Sequence, residues 1–182
     1  MVKHFTGYHG TPHSNIASIR ERGFRVKRYS FLTAELQEVP GDLGAGVYAY
    51  QDSISNAQRF AEKFGDNTAV LELDVTVDED RYLDMDEEEN STLILDVYKG
   101  PVFKDLLSRY ERTNKGSSKR KCLDGLVLEH IIHKNNIKVD LIKKKTYTMF
   151  KGLPPISHYT NGTELCIKNV KIIKNISEIG LN

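Results

Sequence analysis

Three short stretches of this chain carry residue types suited to acid–base and charge-stabilising chemistry. The first is Tyr8-His9-Gly10-Thr11. The second is Gly44-Ala45-Gly46-Val47-Tyr48-Ala49, where Tyr48 offers an aromatic face. The third is Thr163-Glu164-Leu165-Cys166-Ile167, a carboxylate opening a strand-like run that ordinarily disfavours glutamate. Each has a plain explanation when taken alone: a strand-end histidine, a core or edge tyrosine, a solvated charge. Their order and settings give them weight together.

The elements that must position them follow from periodicity and punctuation. Lys3 to His9 reads as a strand ending at Gly10-Thr11-Pro12, and Ser14 to Arg22 as a helix closed by Gly23. Tyr29 to Leu43 lacks a period and contains Pro40-Gly41, so it reads as a loop, whereas Gly46 to Tyr50 has strand composition. The spacing of Ala57, Phe60, Ala61 and Phe64 predicts a helix capped by Ser55, with Gln58 as its capping-box partner and Gly65 as its end. Thr68 to Val75 alternates like a half-buried strand. Helices are expected over Thr92–Tyr98, Val102–Arg112 and Leu123–Lys134. Strands are expected over Val139–Met149 and over Glu164–Ile173, the latter split near Asn169. Strands at both ends with helices between define an α+β domain. Asn114 to Lys121, polar and basic, reads as a mobile loop within it.

With these settings, the three stretches resemble the His-Tyr-Glu class of ADP-ribosyltransferases, shared by the poly(ADP-ribose) polymerases and the diphtheria-type toxins. The resemblance covers roughly residues 3–75 and 160–176. It implies a single catalytic domain over residues 1–182, built of two packed, mainly antiparallel sheets that form an NAD+ cleft and flanked by helices. Residues 77–158 would be a helical variable segment that reads the target. NAD+ is then the substrate and no metal is implied. Glu164, His9 and Tyr48 form the reaction site: Glu164 against the nicotinamide ribose, Tyr48 stacked on nicotinamide, and His9 on the adenosine-side ribose. The backbone of Gly10 would pair with the carboxamide, where a missing Cβ permits close approach, and Thr11 is counted among the cofactor-binding residues. Shifting the pattern by one residue puts the second stacking ring on Phe60. The helix serine that often contacts the carboxamide is replaced by Ala57, leaving Ser55 as its substitute. The resemblance further implies mono-ADP-ribosylation of a macromolecule, protein or nucleic acid, by a toxin or defence effector with an inhibitory or antitoxin partner. NAD+ hydrolysis, RNA 2′-phosphotransfer and non-catalytic ADP-ribose binding are the alternatives on the same fold. Arg25-Val26-Lys27-Arg28 lacks the His-x-His that the phosphotransferase reading needs, and Gly162 stands where the arginine-specific class has a second glutamate.

Composition narrows the classes further. At 182 residues, 39% hydrophobic and 28% charged with net charge +1, the chain suits one globular domain with no global field toward nucleic acid. Cys122 and Cys166 form no disulfide framework and read as buried, reduced thiols. No apolar run approaches the roughly 20 residues that span a bilayer, so a cytoplasmic protein without a membrane partner is expected. Gly44 to Ala49 matches GxGxxA only in letters, because a loop precedes it and a strand follows. Glu129-His130-Ile131-Ile132-His133 lacks metal-ligand spacing and reads as surface histidines. The acidic run Asp84 to Glu89 reads as a solvated loop. Lys115, Lys119, Arg120 and Lys121, with Lys143 to Lys145, are basic clusters that contact phosphates only if they lie near the cleft.

Overall fold

A computed structural model of the chain describes residues 1–26, 29–31, 40–113, 123–154 and 157–180. Cys122, the basic segment 114–121 and much of the loop after residue 26 lie outside these. The order of elements is β1 (Val2–Pro12), α1 (Ile16–Arg22), β2 (Val47–Gln51), α2 (Ile54–Ala61), β3 (Thr68–Asp78), β4 (Tyr82–Asp84), α3 (Glu88–Lys99), α4 (Val102–Thr113), α5 (Leu123–Lys134), β5 (Leu141–Thr146), β6 (Gly162–Ile167) and β7 (Ile173–Ile179). The architecture is α+β, as expected. No helix among the described residues is long and apolar enough to cross a membrane.

Among the described residues the strands form one seven-stranded mixed sheet, ordered β4-β5-β6-β2-β1-β3-β7, rather than two separate sheets. Only β4 and β5 run parallel. The join between its halves is narrow. β1 pairs with β3 along all eleven residues, but with β2 only at Gly7↔Gln51 and Tyr8↔Tyr50. The sheet folds at this join. Phe5 on β1 and Tyr82 on β4 have ring centroids 5.2 Å apart, although three strands intervene, a span of about 19 Å in a flat sheet at 4.7–4.9 Å per strand. Leu71, Leu73, Val75 and Val77 of β3, Val47 and Ala49 of β2, Leu141 of β5, and Leu165 and Ile167 of β6 form one apolar core. Among the described residues, the inner side of the fold is therefore filled by these aliphatic side chains, with Phe5, Phe24 and Tyr82 packed against them.

α1 packs on this inner core through Ile16 and Ile19, and the other face carries α2, α3 and α5. α2 covers Tyr50 and Val70 with Ala57 and Phe60. α3 and α5 pack over β5 and β6 through Ile94, Leu128, Ile142 and Cys166. Residues 77–158 thus contain α3–α5, but also β4 and β5, and β5 pairs with β6 over six residues. The segment is woven into the sheet. The expected strand Glu164–Ile173 does break near Asn169, but only its first part is a strand, β6; Val170–Ile172 is a 3₁₀ turn, capped by Asn169 accepting from the Lys171 amide, and β7 runs on from Ile173 to Ile179 at the far edge of the sheet.

Two local readings need correction. Ser53, not Ser55, caps α2, accepting from the Asn56 amide at 3.3 Å. A cap needs an extended backbone before the helix, and Ser53 has φ −137° and ψ 91° whereas Ser55 already lies inside the helix. The acidic run is solvated from Asp86 to Glu89, as expected, but it is not a free loop: Asp84 is half-buried and Glu88 and Glu89 open α3. Asp84 ends β4, accepts from Tyr82 Oη and pairs with Lys143 Nζ at 2.6 Å, and Asp86 accepts from the Lys145 amide.

Candidate active site

Alternation along paired strands fixes which side chains meet. The register places Tyr8 beside Tyr50, Tyr50 beside Glu164, and Glu164 beside Lys144, one row across the outer face. A crevice opens in this row where β1 leaves β2, and α2 closes it. Gly10, Tyr48, Phe60 and Glu164 line it, together with Tyr8, Ala49 and Tyr50. Four of the residues singled out in the sequence therefore share one small concavity. It encloses about 20 Å³, well below the roughly 300–1,000 Å³ of developed small-molecule pockets.

Glu164 is 8% exposed, which accounts for a glutamate at the head of an apolar strand. Its Oε1 accepts from the Thr148 hydroxyl at 2.8 Å, and Thr148 Oγ1 accepts from Tyr50 Oη at 2.8 Å. A buried carboxylate needs such donors, because each missing one leaves desolvation uncompensated. Thr148 is itself clamped. Asn161 Oδ1 accepts from its amide and Asn161 Nδ2 donates to its carbonyl, each at 2.8 Å. Asn56 of α2 donates to the Asn161 carbonyl.

Tyr48 presents its ring to the crevice with its hydroxyl tied down. Oη accepts from the Leu43 amide and donates to the Gly44 carbonyl, both at 2.8 Å. That turn nests against α5. A Cβ at Gly125 would stand 1.7 Å from the Gly41 carbonyl oxygen, and one at Gly41 2.3 Å from Tyr48 Oη. Phe60 packs on Tyr50 at 6.3 Å between ring centroids, with the Lys63 ammonium 4.9 Å from its own centroid.

The remaining expected residues are placed differently. His9 does not line the crevice. Tyr8 and Gly10 do, so alternation turns the His9 ring to the other side of β1, edge-on to Phe24 at 5.0 Å. From there Nδ1–H donates to the Tyr48 carbonyl at 2.7 Å, so a side chain bridges the strands where their backbone ladder has stopped. Burial pushes the imidazole pKa below its ordinary value against the opposing effect of that hydrogen bond, which itself requires a proton on Nδ1 because a carbonyl oxygen only accepts. Thr11 is 3% exposed and accepts from Asn15 Nδ2, a local contact away from the crevice. Ser55 is exposed on the first turn of α2 and does not reach the crevice. Gly10 does line the crevice, and packing independently requires its missing Cβ, which would lie 1.9 Å from the Ala57 carbonyl oxygen. α2 lies directly on β1.

Sequence reasoning did not single out Tyr50, Thr148 or Asn161. Tyr50 was legible in principle, two residues from Tyr48 on the same strand and hence on the same face. Thr148 and Asn161 carried no signal, since their partners are distant in sequence. Glu129, read as part of a surface-histidine stretch, is buried and ion-paired to Lys168 Nζ at 2.5 Å, and it accepts from the Ala45 amide. His130 is half-buried against Phe31. Cys166 is fully buried, and burial pushes its thiol up to about 12, which makes it a packing residue and a poor nucleophile. No protein-family model and no curated protein matches the chain.

Proposed function

We propose that this protein is an NAD+-dependent ADP-ribosyltransferase that transfers a single ADP-ribose to a macromolecule. One observation carries the reading: Gly10, Tyr48, Phe60 and Glu164, scattered over 155 positions of sequence, line the same crevice. In the proposed reaction the bond between the nicotinamide nitrogen and ribose C1′ breaks, its electron pair leaves with neutral nicotinamide, and positive charge grows on the ribose. A new bond then forms between C1′ and an acceptor nucleophile, whose proton passes to Glu164 or to water.

Each residue has a physical task in this scheme. Tyr48 and Phe60 hold the departing flat ring between aromatic faces, at about 0.5–1.5 kcal/mol per contact beyond burial. The Glu164 carboxylate opposes the developing charge in a site shielded from water, a contribution of about 3–4 kcal/mol. His9 acts indirectly, by fixing the β2 backbone at Tyr48. Admission of the ring requires the Phe60 wall to move outward, because the crevice is smaller than any ring it would hold.

The test is incubation of the protein with adenine-labelled NAD+ and cell extract, following nicotinamide release and the label. Glu164→Gln should fold normally and lose about 100-fold or more in nicotinamide release. Label in protein, RNA or DNA identifies the acceptor, and label found only in free ADP-ribose makes the enzyme a hydrolase. Absence of NAD+ consumption by the wild-type protein refutes the proposal.

A further inference from the structure

Resting on that reading, we infer that Thr148 is the positioning residue for the reactive carboxylate, and that Tyr50 sets the direction of its hydroxyl. With Glu164 ionised, as that reading requires, the contacts leave one proton order. A carboxylate oxygen only accepts, so the Thr148 hydroxyl proton points to Glu164 Oε1. The Thr148 oxygen then receives the Tyr50 proton, and all three groups are held at 2.8 Å contacts. Cooperative chains of this kind strengthen each bond in a low-dielectric setting. The Asn161 side chain fixes the Thr148 backbone on both its amide and its carbonyl, so the threonine is held from the main chain outward. Asn56 links the same loop to α2, the helix that carries Phe60. The carboxylate that meets the developing charge and the ring that holds the leaving group thus hang on one hydrogen-bonded frame. A carboxylate free to rotate would sample poses in which it stabilises the ground state and the transition state equally, and such binding does not raise kcat.

The experiment measures nicotinamide release from NAD+ by the wild-type chain, Thr148→Val, Thr148→Ser and Tyr50→Phe. Thr148→Val keeps shape but removes the donor and should lower kcat about 10- to 100-fold, with KM for NAD+ within about twofold, the size expected for one hydrogen bond to a charged group. Thr148→Ser retains the hydroxyl and should recover kcat to within about threefold. Tyr50→Phe acts one bond further away and should cost about two- to fivefold. Wild-type kcat in Thr148→Val, a defect confined to KM, or a kcat defect that serine does not rescue overturns the inference. A wild-type chain that releases no nicotinamide sinks the proposed function instead. Urea unfolding of Thr148→Val, Glu164→Gln and the double variant then judges the contact alone. Coupled residues give midpoint shifts that do not add, and additive shifts overturn it.

Discussion

Gly10→Ala separates two reasons for a glycine beside His9. If the missing Cβ serves only a ligand, the free protein should tolerate alanine. The structure requires the opposite. The new methyl would sit 1.9 Å from the Ala57 carbonyl oxygen, 2.8 Å from its carbon and 3.1 Å from Ala61 Cβ, whereas real Cβ contacts essentially never fall under 3.0 Å. The obstacle is helix backbone, which cannot swing aside as a side-chain tip can, so α2 must retreat by about 1 Å or β1 must bend. Overpacking of this kind costs about 1–3 kcal/mol, and a backbone clash belongs at the upper end. At this chain length roughly 2–4 °C of melting temperature accompanies each kcal/mol, so a drop of about 6–12 °C is expected in the absence of any ligand. Gly7→Ala is the internal control. Its methyl would meet Ala49 Cβ at 3.1 Å and Leu165 Cδ1 at 3.3 Å, contacts that relax by tenths of an ångström, so about 1 kcal/mol is expected. Differential scanning calorimetry of the three proteins decides the matter. A Gly10→Ala chain that melts with the wild type, or a Gly7→Ala chain that is the less stable of the two, would refute the packing argument.

Three further outcomes follow from the same contacts. Ser53→Ala should destabilise by about 1 kcal/mol through loss of the α2 cap while Ser55→Ala stays within about 0.5 kcal/mol; equal urea midpoints for the two would refute the Ser53 cap, and a larger loss in Ser55→Ala would return the cap to Ser55. Lys168→Met strands the buried Glu129 carboxylate, whose side chain is 10% exposed, and should cost about 3–5 kcal/mol in urea unfolding, most of it regained in Lys168→Met/Glu129→Gln; a neutral single variant would show that the pair is solvated. Because burial holds the His9 pKa below its ordinary 6.5, the unfolded chain takes up a proton there first, and stability present above about pH 6.5 is lost as pH falls toward the folded value. His9→Gln keeps a donor for the Tyr48 carbonyl without titrating, so its urea midpoint should fall less than the wild type's between pH 7.5 and 5.5. His130, shifted the same way chiefly by burial, contributes equally to both chains and cancels, so identical slopes would mean that His9 is not buried as a neutral ring.

Much of the local architecture was legible because its causes are local. The alternation in Thr68 to Val75 marks β3, and the spacing of Ala57, Phe60 and Ala61 marks the inward stripe of α2, whereas Phe64, expected on that stripe, lies in the 3₁₀ turn Glu62–Phe64 and is 62% exposed; Gly23 ends α1 and Gly65 ends that turn, with φ of +69° and +131°. The resemblance led to the expectation that His9, Tyr48 and Glu164 meet around one crevice; Tyr48 and Glu164 share one with Gly10 and Phe60, and His9 does not line it. No period within any one segment contains that outcome. β4, three residues long and parallel to its neighbour, was missed because so short a strand has no period to read.

What the sequence determined unaided is therefore the set of elements and the faces they bury, since periodicity and capping are properties of adjacent residues. Only the tertiary structure decided which faces meet. It folded one sheet at the two-residue join between β1 and β2, filled the inner side with aliphatic chains, and moved the crevice to the outer face under α2. It also turned His9 away from Glu164 and brought Thr148 to it. Those outcomes depend on register between strands far apart in the chain, and register is set by how whole faces pack.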